Sequence, residues 1–143
     1  MRIYDVMCTD FKIVSPTTSL RVAARLMRDY DCGYLPVGDN DRLVGAVTDR
    51  DIVVRGLGEG LGPEAHVDEV MTDRIVYCFE NDDVVEAAQH MKDQQIRRLA
   101  VLNAEKRIVG VVSLGDIARE CEDAELTGDI ENAVAEDTLM AAE

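Results

Sequence analysis

The sequence predicts a mixed α/β (α+β) fold made of two pseudo-symmetric β-α-β-β-α repeats that pack through their sheets. First, the chain matches itself at an offset of 64 residues, so that Val6-Met7 recurs as Val70-Met71. After one extra residue near Asn103 the offset is 65, and Val44-Gly45 recurs as Val109-Gly110. Second, each copy alternates β-prone runs with amphipathic segments in the same order. Third, 47% of the 143 residues are hydrophobic, which suits a packed core.

Each copy begins with a short β-prone run, namely Ile13-Val14-Ser15 in the first and Ile75-Val76-Tyr77 in the second. Polar residues that can cap a helix follow, namely Thr17-Thr18-Ser19 and Asn81-Asp82-Asp83. The next apolar residues have the i, i+3, i+4, i+7 spacing of one buried helical stripe. They are Leu20, Ala23, Ala24 and Met27 in the first copy, and Val84, Ala87, Ala88 and Met91 in the second.

Two further β-prone runs in each copy, joined by a polar turn, predict a hairpin. The runs are 34–37 and 43–47 in the first copy, and 99–102 and 108–112 in the second. A short second helix is predicted to begin near Asp49 and near Leu114. The glycine-rich stretch 56–62, followed by Pro63, breaks the first of these helices. We therefore expect a first domain over 1–58, a linker over 59–66, a second domain over 67–122 and an acidic tail over 123–143.

The net charge of −14 is unevenly distributed, because residues 120–143 contain nine acidic residues and no Lys or Arg. An acidic surface opposes binding to a phosphate backbone, so we expect no nucleic-acid partner. No apolar run approaches the roughly 20 residues that cross a bilayer, and the N-terminus lacks a secretory apolar region. We expect a cytoplasmic protein with no membrane partner. The tail is either a solvated extension or an arm for a protein partner or dimer, with apolar residues on one helical face at Leu126, Ile130, Val134 and Leu139.

The residues that carry enzyme chemistry do not form a recognisable set. The four cysteines, Cys8, Cys32, Cys78 and Cys121, contain no C-x-x-C pair, and neither His66 nor His90 has zinc-finger spacing from them. There is no Ser-His-Asp set, Cys-His set or Walker-type loop. We therefore predict no catalytic residue, no metal site, no required cofactor and no enzyme activity.

Two long strings lie at equivalent places after the hairpins: Val44-Gly45-Ala46-Val47-Thr48-Asp49-Arg50-Asp51-Ile52, and Val109-Gly110-Val111-Val112-Ser113-Leu114-Gly115-Asp116-Ile117. Shorter strings accompany them: Asp5-Val6-Met7 and Gly33-Tyr34-Leu35-Pro36-Val37, then Glu69-Val70-Met71-Thr72 and Ile96-Arg97-Arg98-Leu99-Ala100-Val101. Together they resemble the CBS domain as a tandem pair (a Bateman module), over about residues 3–120. Ala100 stands where the family often has Pro. Small bacterial and archaeal proteins made only of such a pair are the nearest in kind.

This resemblance implies clefts between the repeats that bind an adenosine-containing ligand, an adenine nucleotide (AMP, ADP or ATP) or else NAD or S-adenosylmethionine. The family pattern Gly-hydrophobic-x-Thr/Ser-x-x-Asp is matched at 45–51 and 110–116. It implies ribose binding by Asp51 and Asp116, since one carboxylate can accept from both ribose hydroxyls. Contacts to phosphate or ribose are implied for Thr48, Arg50, Ser113, Arg97 and Arg98. Contacts to adenine, by backbone or packing, are implied for Ser15, Tyr34 and Pro36.

A structural interpretation stands beside the functional one, because an Asp shortly after a strand, or the Thr or Ser before it, is often a helix cap. The second copy, with Arg97 and Arg98, is better equipped for phosphate. The first has Gly33-Tyr34 instead, so its cleft is expected to hold a less charged ligand or none. The leading hypothesis is a regulatory sensor module, and the family implies a homodimer formed through its helices. The alternative is a ligand-free scaffold or stress-response protein that acts through protein contacts.

Overall fold

Two compact units are formed, and each takes its chain from separate stretches of the sequence. In the computed structural model, which describes residues 1–120, unit 1 contains Met1–Thr9, Tyr77–Glu105 and residues 109–120. Unit 2 contains Asp10–Val76 and Lys106–Ile108. The proposed arm in the tail, with Leu126, Ile130, Val134 and Leu139, lies outside the described residues, as does Cys121. Among residues 1–120, no helix combines the length and the apolar character that crossing a membrane requires.

In unit 2 the first helix, α1 (Leu20–Asp29), begins where the sequence offers N-cap residues. The Ser19 hydroxyl accepts the backbone N–H of Val22 at 3.2 Å, which satisfies a donor that the first turn leaves unpaired. The prediction of a buried Ala24 was wrong, because this side chain is exposed and the buried stripe is one residue narrower than expected. The buried members of the stripe are Leu20, Ala23 and Met27.

The predicted hairpin of unit 2 is confirmed as strands β1 (Tyr34–Asp39) and β2 (Arg42–Thr48), which pair antiparallel. Asn40 and Asp41 form its turn with φ of +52° and +64°. Asn and Asp adopt this left-handed conformation more readily than most residues. Val14 adds a parallel bridge to Val37 on the other side of β1.

The second helical segment of unit 2 begins, as predicted, directly after β2. It opens as one α-helical turn, α2 (Asp49–Asp51), continues as a π-helical turn (Ile52–Gly56) and ends as a 3₁₀ turn (Leu57–Glu59). Gly60 follows with φ of +82°, a conformation that glycine adopts without steric cost. The helical path therefore extends into the glycine-rich stretch before it ends.

Unit 1 repeats this plan with strands β3 (Tyr77–Phe79), β4 (Arg98–Leu102) and β5 (Ile108–Ser113), in the order β3-β4-β5. Helix α3 (Val84–Gln94) is capped by the Asp83 carboxylate, which accepts the backbone N–H of Val85 at 3.0 Å. All four predicted stripe residues of α3 are buried. Helix α4 (Leu114–Glu120) follows β5 directly.

The second copy's first strand lies two residues beyond the predicted run 75–77. Tyr77, Cys78 and Phe79 pair in parallel with Ala100, Val101 and Leu102. Ile75, one of the β-branched residues behind the prediction, is 53% exposed. The partner strand decides the register here, since the β-propensity of a short run is weak beside backbone pairing and burial.

The first residues of each sequence repeat pack in the unit that holds the other repeat's hairpin. In unit 1, Cys8 exchanges both backbone hydrogen bonds with Val111 of β5, at 2.8 and 3.0 Å. In unit 2, Thr72 does the same with Ala46 of β2, at 2.9 and 3.1 Å. A 3₁₀ turn precedes each of these residues, Ile3–Asp5 and Val67–Glu69, and buries its first residue.

The core of unit 2 gathers the helix stripe, the hairpin and this incoming segment. Its buried members are Val14, Leu20, Ala23, Met27, Leu35, Val37, Val47, Val67 and Val70. In unit 1 the corresponding elements bury, among others, Ile3, Val84, Ala87, Ala88, Met91, Leu99, Val101, Val112, Leu114 and Ile117. In unit 1 this core continues past the end of β5 into α4, through Leu114 and Ile117.

Candidate functional site

The Thr48 turn (residues 48–51) joins β2 to α2 in unit 2 and holds two predicted site residues in one hydrogen-bonded ring. The backbone N–H of Thr48 donates to Oδ2 of Asp51 at 3.0 Å. The backbone N–H of Asp51 donates in return to Oγ1 of Thr48 at 3.1 Å. This is a capping box, in which both side chains satisfy backbone donors at a helix start.

The Ser113 turn (residues 113–116) has the same ring in unit 1. The backbone N–H of Ser113 donates to Oδ2 of Asp116 at 3.0 Å, and that of Asp116 donates to Oγ of Ser113 at 3.0 Å. In addition, Nη2 of Arg119 donates to Oδ1 of Asp116. The cap interpretation of the Thr/Ser-x-x-Asp pattern is therefore correct for both copies.

Capping leaves each carboxylate with further capacity as an acceptor. An ionised carboxylate has two oxygens and about four lone-pair sites, of which a capping box uses one. Asp51 and Asp116 are both half-buried, so water and ligands reach them. The same side chain can therefore fix the helix start and accept a hydrogen bond from a ligand hydroxyl.

A further backbone hydrogen bond joins each turn to the residue just before the first strand of its hairpin. The backbone N–H of Leu114 donates to the carbonyl of Arg97 at 2.9 Å, and that of Asp49 donates to the carbonyl of Gly33 at 3.0 Å. The backbone of Arg97, and with it the neighbouring Arg98, thus adjoins the Ser113 turn. Arg97 is exposed and Arg98 is half-buried.

The surroundings of the Thr48 turn are different in charge. The Asp49 carboxylate covers Gly33, so that a Cβ added to Gly33 would lie 2.5 Å from Oδ2 of Asp49. Arg50 is exposed, and its backbone N–H donates to Oδ1 of Asp49 at 2.8 Å. The turn therefore carries two carboxylates and one exposed guanidinium.

The adenine candidates do not all meet at the Thr48 turn. Tyr34 pairs directly with Thr48 across β1 and β2, and Pro36 follows two residues later, opposite Ala46. Both are buried. Ser15, however, follows Val14, whose parallel bridge to Val37 places Ser15 near the hairpin end of β1. There its hydroxyl lies 3.2 Å from the hydroxyls of Thr17 and Thr18.

The glycine that begins each Gly-hydrophobic-x-Thr/Ser-x-x-Asp pattern is explained by the close approach of the other repeat's first residues. A Cβ on Gly45 would lie 2.5 Å from the carbonyl oxygen of Thr72. A Cβ on Gly110 would lie 2.6 Å from Sδ of Met7 and 3.1 Å from the carbonyl oxygen of Cys8. Glycine permits this close approach, strictly so at Gly45, where the obstructing atom belongs to the backbone.

Sequence reasoning did not single out Arg119, although it contacts a predicted site residue. The available signal was its spacing of three residues from Asp116 on a predicted helix, where side chains are neighbours. Among residues 1–120, no group of three or more His, Cys, Asp or Glu side chains is placed to hold a metal ion.

The chain is 43% identical over 117 residues to hypoxic response protein 1 of Mycobacterium tuberculosis, which covers 80% of this chain and 81% of that protein. The crystal structure of Hypoxic Response Protein I with two coordinated zinc ions has a TM-score of 0.76 and 40% identity, over 85% of this chain and 99% of that one.

Two similar structures hold adenosine compounds. The CBS domain pair of protein MJ0100, in complex with 5′-methylthioadenosine and S-adenosyl-L-methionine, has a TM-score of 0.75 and 25% identity, over 83% of this chain and 94% of that one. CBSX2 in complex with AMP has a TM-score of 0.71 and 26% identity, over 82% and 93%. The family model for the CBS domain matches residues 3–57 and again residues 67–123. The chain therefore belongs to the CBS-domain family and carries two such domains in tandem.

Proposed function

We propose that this chain is a regulatory module that binds an adenosine-containing ligand at the Thr48 turn, the Ser113 turn or both. The observation that carries the proposal is the repeated capping box, which holds Asp51 and Asp116 in the same setting in each unit. The adenosine compounds bound by the CBS pair of MJ0100 and by CBSX2 support the ligand class.

Each turn offers the chemistry that a ribose needs. A ribose diol presents two hydroxyl donors, and a carboxylate can accept from both in a charge-assisted contact. Because the capping box already orders the carboxylate, little side-chain freedom is lost when the ligand binds. Thr48 and Ser113 contribute their backbone and hydroxyl to this ordering, so their role in the ligand site is to position the Asp.

The two turns favour different ligands. At the Ser113 turn, Arg97 and Arg98 provide guanidinium groups for phosphate, which favours AMP, ADP or ATP. NAD contains the same phosphate chemistry. At the Thr48 turn, the two carboxylates of Asp49 and Asp51 outnumber the one guanidinium of Arg50, so a ligand without phosphate, such as S-adenosylmethionine, fits that charge better. In this scheme the nucleotide is a regulatory signal that a protein partner responds to. The chain itself would require no cofactor.

A thermal-shift screen with AMP, ADP, ATP, NAD and S-adenosylmethionine tests the proposal on protein first freed of bound nucleotide. Ligand at about 100 times its Kd adds about 2.7 kcal/mol, which is about 5 °C or more in Tm for a chain of this size. Asp51→Asn and Asp116→Asn are the site variants, because Asn keeps an acceptor for the cap and removes the charge. A shift that one Asn variant abolishes supports the proposal, and no shift with any ligand refutes it.

A scaffold without a ligand is the second candidate, and the capping boxes themselves favour it. They account fully for the Thr/Ser-x-x-Asp pattern as a device that begins a helix. Under this candidate the Asn variants keep their stability, nucleotides produce no shift, and function depends on protein contacts alone. The same screen therefore separates the two candidates.

We also propose that the chain forms a homodimer through its helical surfaces. Val53 and Leu57, on the second helical segment of unit 2, are 57% and 74% exposed. Adjacent exposed apolar residues of this kind mark association surfaces. Sedimentation velocity of Leu57→Glu should show a monomer, whereas Tyr4→Glu, at an exposed apolar residue outside the helices, should leave the dimer intact. A monomeric parent protein would contradict the assignment.

A further inference from the structure

Both oxygens of the Asp116 carboxylate accept a hydrogen bond, whereas a capping box alone uses one of them. Oδ2 accepts the backbone N–H of Ser113, and Oδ1 accepts from the guanidinium of Arg119. The Asp116 side chain is 22% exposed and that of Arg119 is 71% exposed. A ligand hydroxyl that approaches Asp116 therefore meets a carboxylate that an exposed cation already contacts.

The Thr48 turn contains the exposed Arg50, but among residues 1–120 no cation is paired with the Asp51 carboxylate. The residue that corresponds to Arg119 in the repeat is Val54. Within the part of the chain that the structure describes, the Asp51 carboxylate takes part in the capping box and in no ion pair. The two turns share a backbone and differ in how accessible the acceptor oxygen is.

We propose that Arg119 determines specificity at the Ser113 turn by favouring ligands that carry phosphate over uncharged nucleosides. This inference rests on the proposed function, since it concerns the same turn. An uncharged nucleoside shares the Asp116 carboxylate with the guanidinium or displaces it, and it offers the guanidinium no anion in return. A nucleotide offers phosphate oxygens, which a guanidinium binds in a bidentate, charge-assisted manner.

The neighbouring charges strengthen this selection. The backbone of Arg97 adjoins the same turn through the hydrogen bond from Leu114, so a second arginine stands beside the Ser113 turn. At the Thr48 turn the corresponding neighbours are Gly33, covered by the Asp49 carboxylate, and Val54. The Ser113 turn is therefore the one suited to a nucleotide, and the Thr48 turn to an adenosyl compound without phosphate.

The size of the effect follows from the exposure of the pair. Exposed ion pairs contribute little, so their displacement should weaken nucleoside binding by only about two- to five-fold. Arg119→Gln should therefore raise the affinity for adenosine by about two- to five-fold and lower the affinity for ATP by at least about as much. Opposite signs for the two ligands distinguish a specificity role from loss of a helix-stabilising pair, which would change both affinities in the same direction.

Isothermal titration with adenosine and with ATP measures both affinities, in an Asp51→Asn background so that the Ser113 turn is observed alone. The variants are Arg119→Gln, Lys92→Gln as a control that removes one exposed helical cation elsewhere in unit 1, and Asp116→Asn to identify the site. Lys92→Gln should leave the ratio of ATP to adenosine affinity unchanged, and Arg119→Lys should fall between Arg119→Gln and the parent.

The outcomes separate this inference from the proposed function. Opposite changes for adenosine and ATP in Arg119→Gln support the role of Arg119. Equal changes for both ligands overturn it. It is also overturned if neither the parent nor Arg119→Gln shows any binding that Asp116→Asn abolishes. If the unmodified protein binds adenosine compounds through Asp51 in that last case, the proposed function survives without the role of Arg119. If it binds none, both fall.

Discussion

Replacing the glycine of each turn pattern by alanine should affect the two units unequally. In unit 2 the new Cβ of Gly45→Ala would meet the backbone carbonyl of Thr72 at 2.5 Å. In unit 1 the new Cβ of Gly110→Ala would first meet Sδ of Met7 at 2.6 Å. A thioether on a flexible side chain can rotate away, whereas a carbonyl held in a paired backbone cannot.

The magnitudes follow from this difference in the obstructing atom. Overpacking a core costs about 1–3 kcal/mol, against a gain of about 0.4–1 kcal/mol from the lower entropy of the unfolded chain when Gly becomes Ala. We expect Gly45→Ala to lower the free energy of unfolding by about 2 kcal/mol, because the pairing between Thr72 and Ala46 must shift. Gly110→Ala should cost about 0.5–1 kcal/mol, since the carbonyl of Cys8 at 3.1 Å needs only a small displacement.

Urea unfolding followed by far-UV circular dichroism gives both values, from the shift in midpoint at constant slope. A second substitution in each unit identifies the obstructing atom. Met7→Ala should recover part of the loss in Gly110→Ala, whereas Met71→Ala should recover none of the loss in Gly45→Ala. Equal rescue in the two units, or a greater cost at Gly110 than at Gly45, would refute this account of the glycines.

Three further results are expected. Asp51→Ala and Asp116→Ala should each lower the free energy of unfolding by about 1 kcal/mol in urea titrations. The Asn variants should lower it by much less, because Asn still accepts the capping hydrogen bond. Equal losses for Ala and Asn would contradict the capping role. Burial, with a smaller effect of Asp82, raises the pKa of the Cys78 thiol to about 12, so at pH 8 its thiolate is about a thousandfold scarcer than that of an ordinary thiol. Mass spectrometry of maleimide-treated native protein should therefore find Cys8 labelled and Cys78 unlabelled until urea is added. Because the folded pKa of Cys78 is raised, its stabilising contribution is complete below about pH 9 and declines toward pH 12, so the stability difference between the parent and Cys78→Ala should narrow above pH 9.

Local patterns in the sequence predicted the helices and their caps well. Ser19 and Asp83 accept backbone N–H groups where capping residues were expected, because an N-cap depends on neighbouring residues alone. The first strand of the second copy was displaced by two residues, since its register depends on β4 rather than on its own composition. Periodicity placed Ala24 in the core, although tertiary packing left it exposed.

Local sequence signals could not predict that the first residues of each repeat pack in the unit that holds the other repeat's hairpin. The segment that ends at Cys8 could pair with the hairpin of either copy, because both offer the same glycine beside the same backbone pattern, Gly45 and Gly110. The choice of Val111 as its partner spans most of the chain. Such a choice depends on the competition between whole units, which no short window of sequence contains.

The same limit explains which part of the candidate site escaped prediction. The Thr/Ser-x-x-Asp pattern is local, and the structure shows it as a capping box in both units. The role of Arg119 depends on whether its guanidinium turns toward Asp116 or toward solvent, and spacing alone permits both.

Comparison of equivalent positions shows how one backbone can serve two chemistries. The hydrogen bond that ties each turn to the neighbouring strand is the same in both units, at 3.0 Å for Asp49 and 2.9 Å for Leu114. The side chains around that frame are not: Gly33, Tyr34 and Val54 in the first copy correspond to Arg97, Arg98 and Arg119 in the second. Backbone hydrogen bonds hold the acceptor carboxylate in place whichever side chains surround it, so charge can change without loss of the turn. Under the proposed function, two turns of one shape and unlike charge would let a single chain respond independently to an adenosyl compound without phosphate and to a nucleotide.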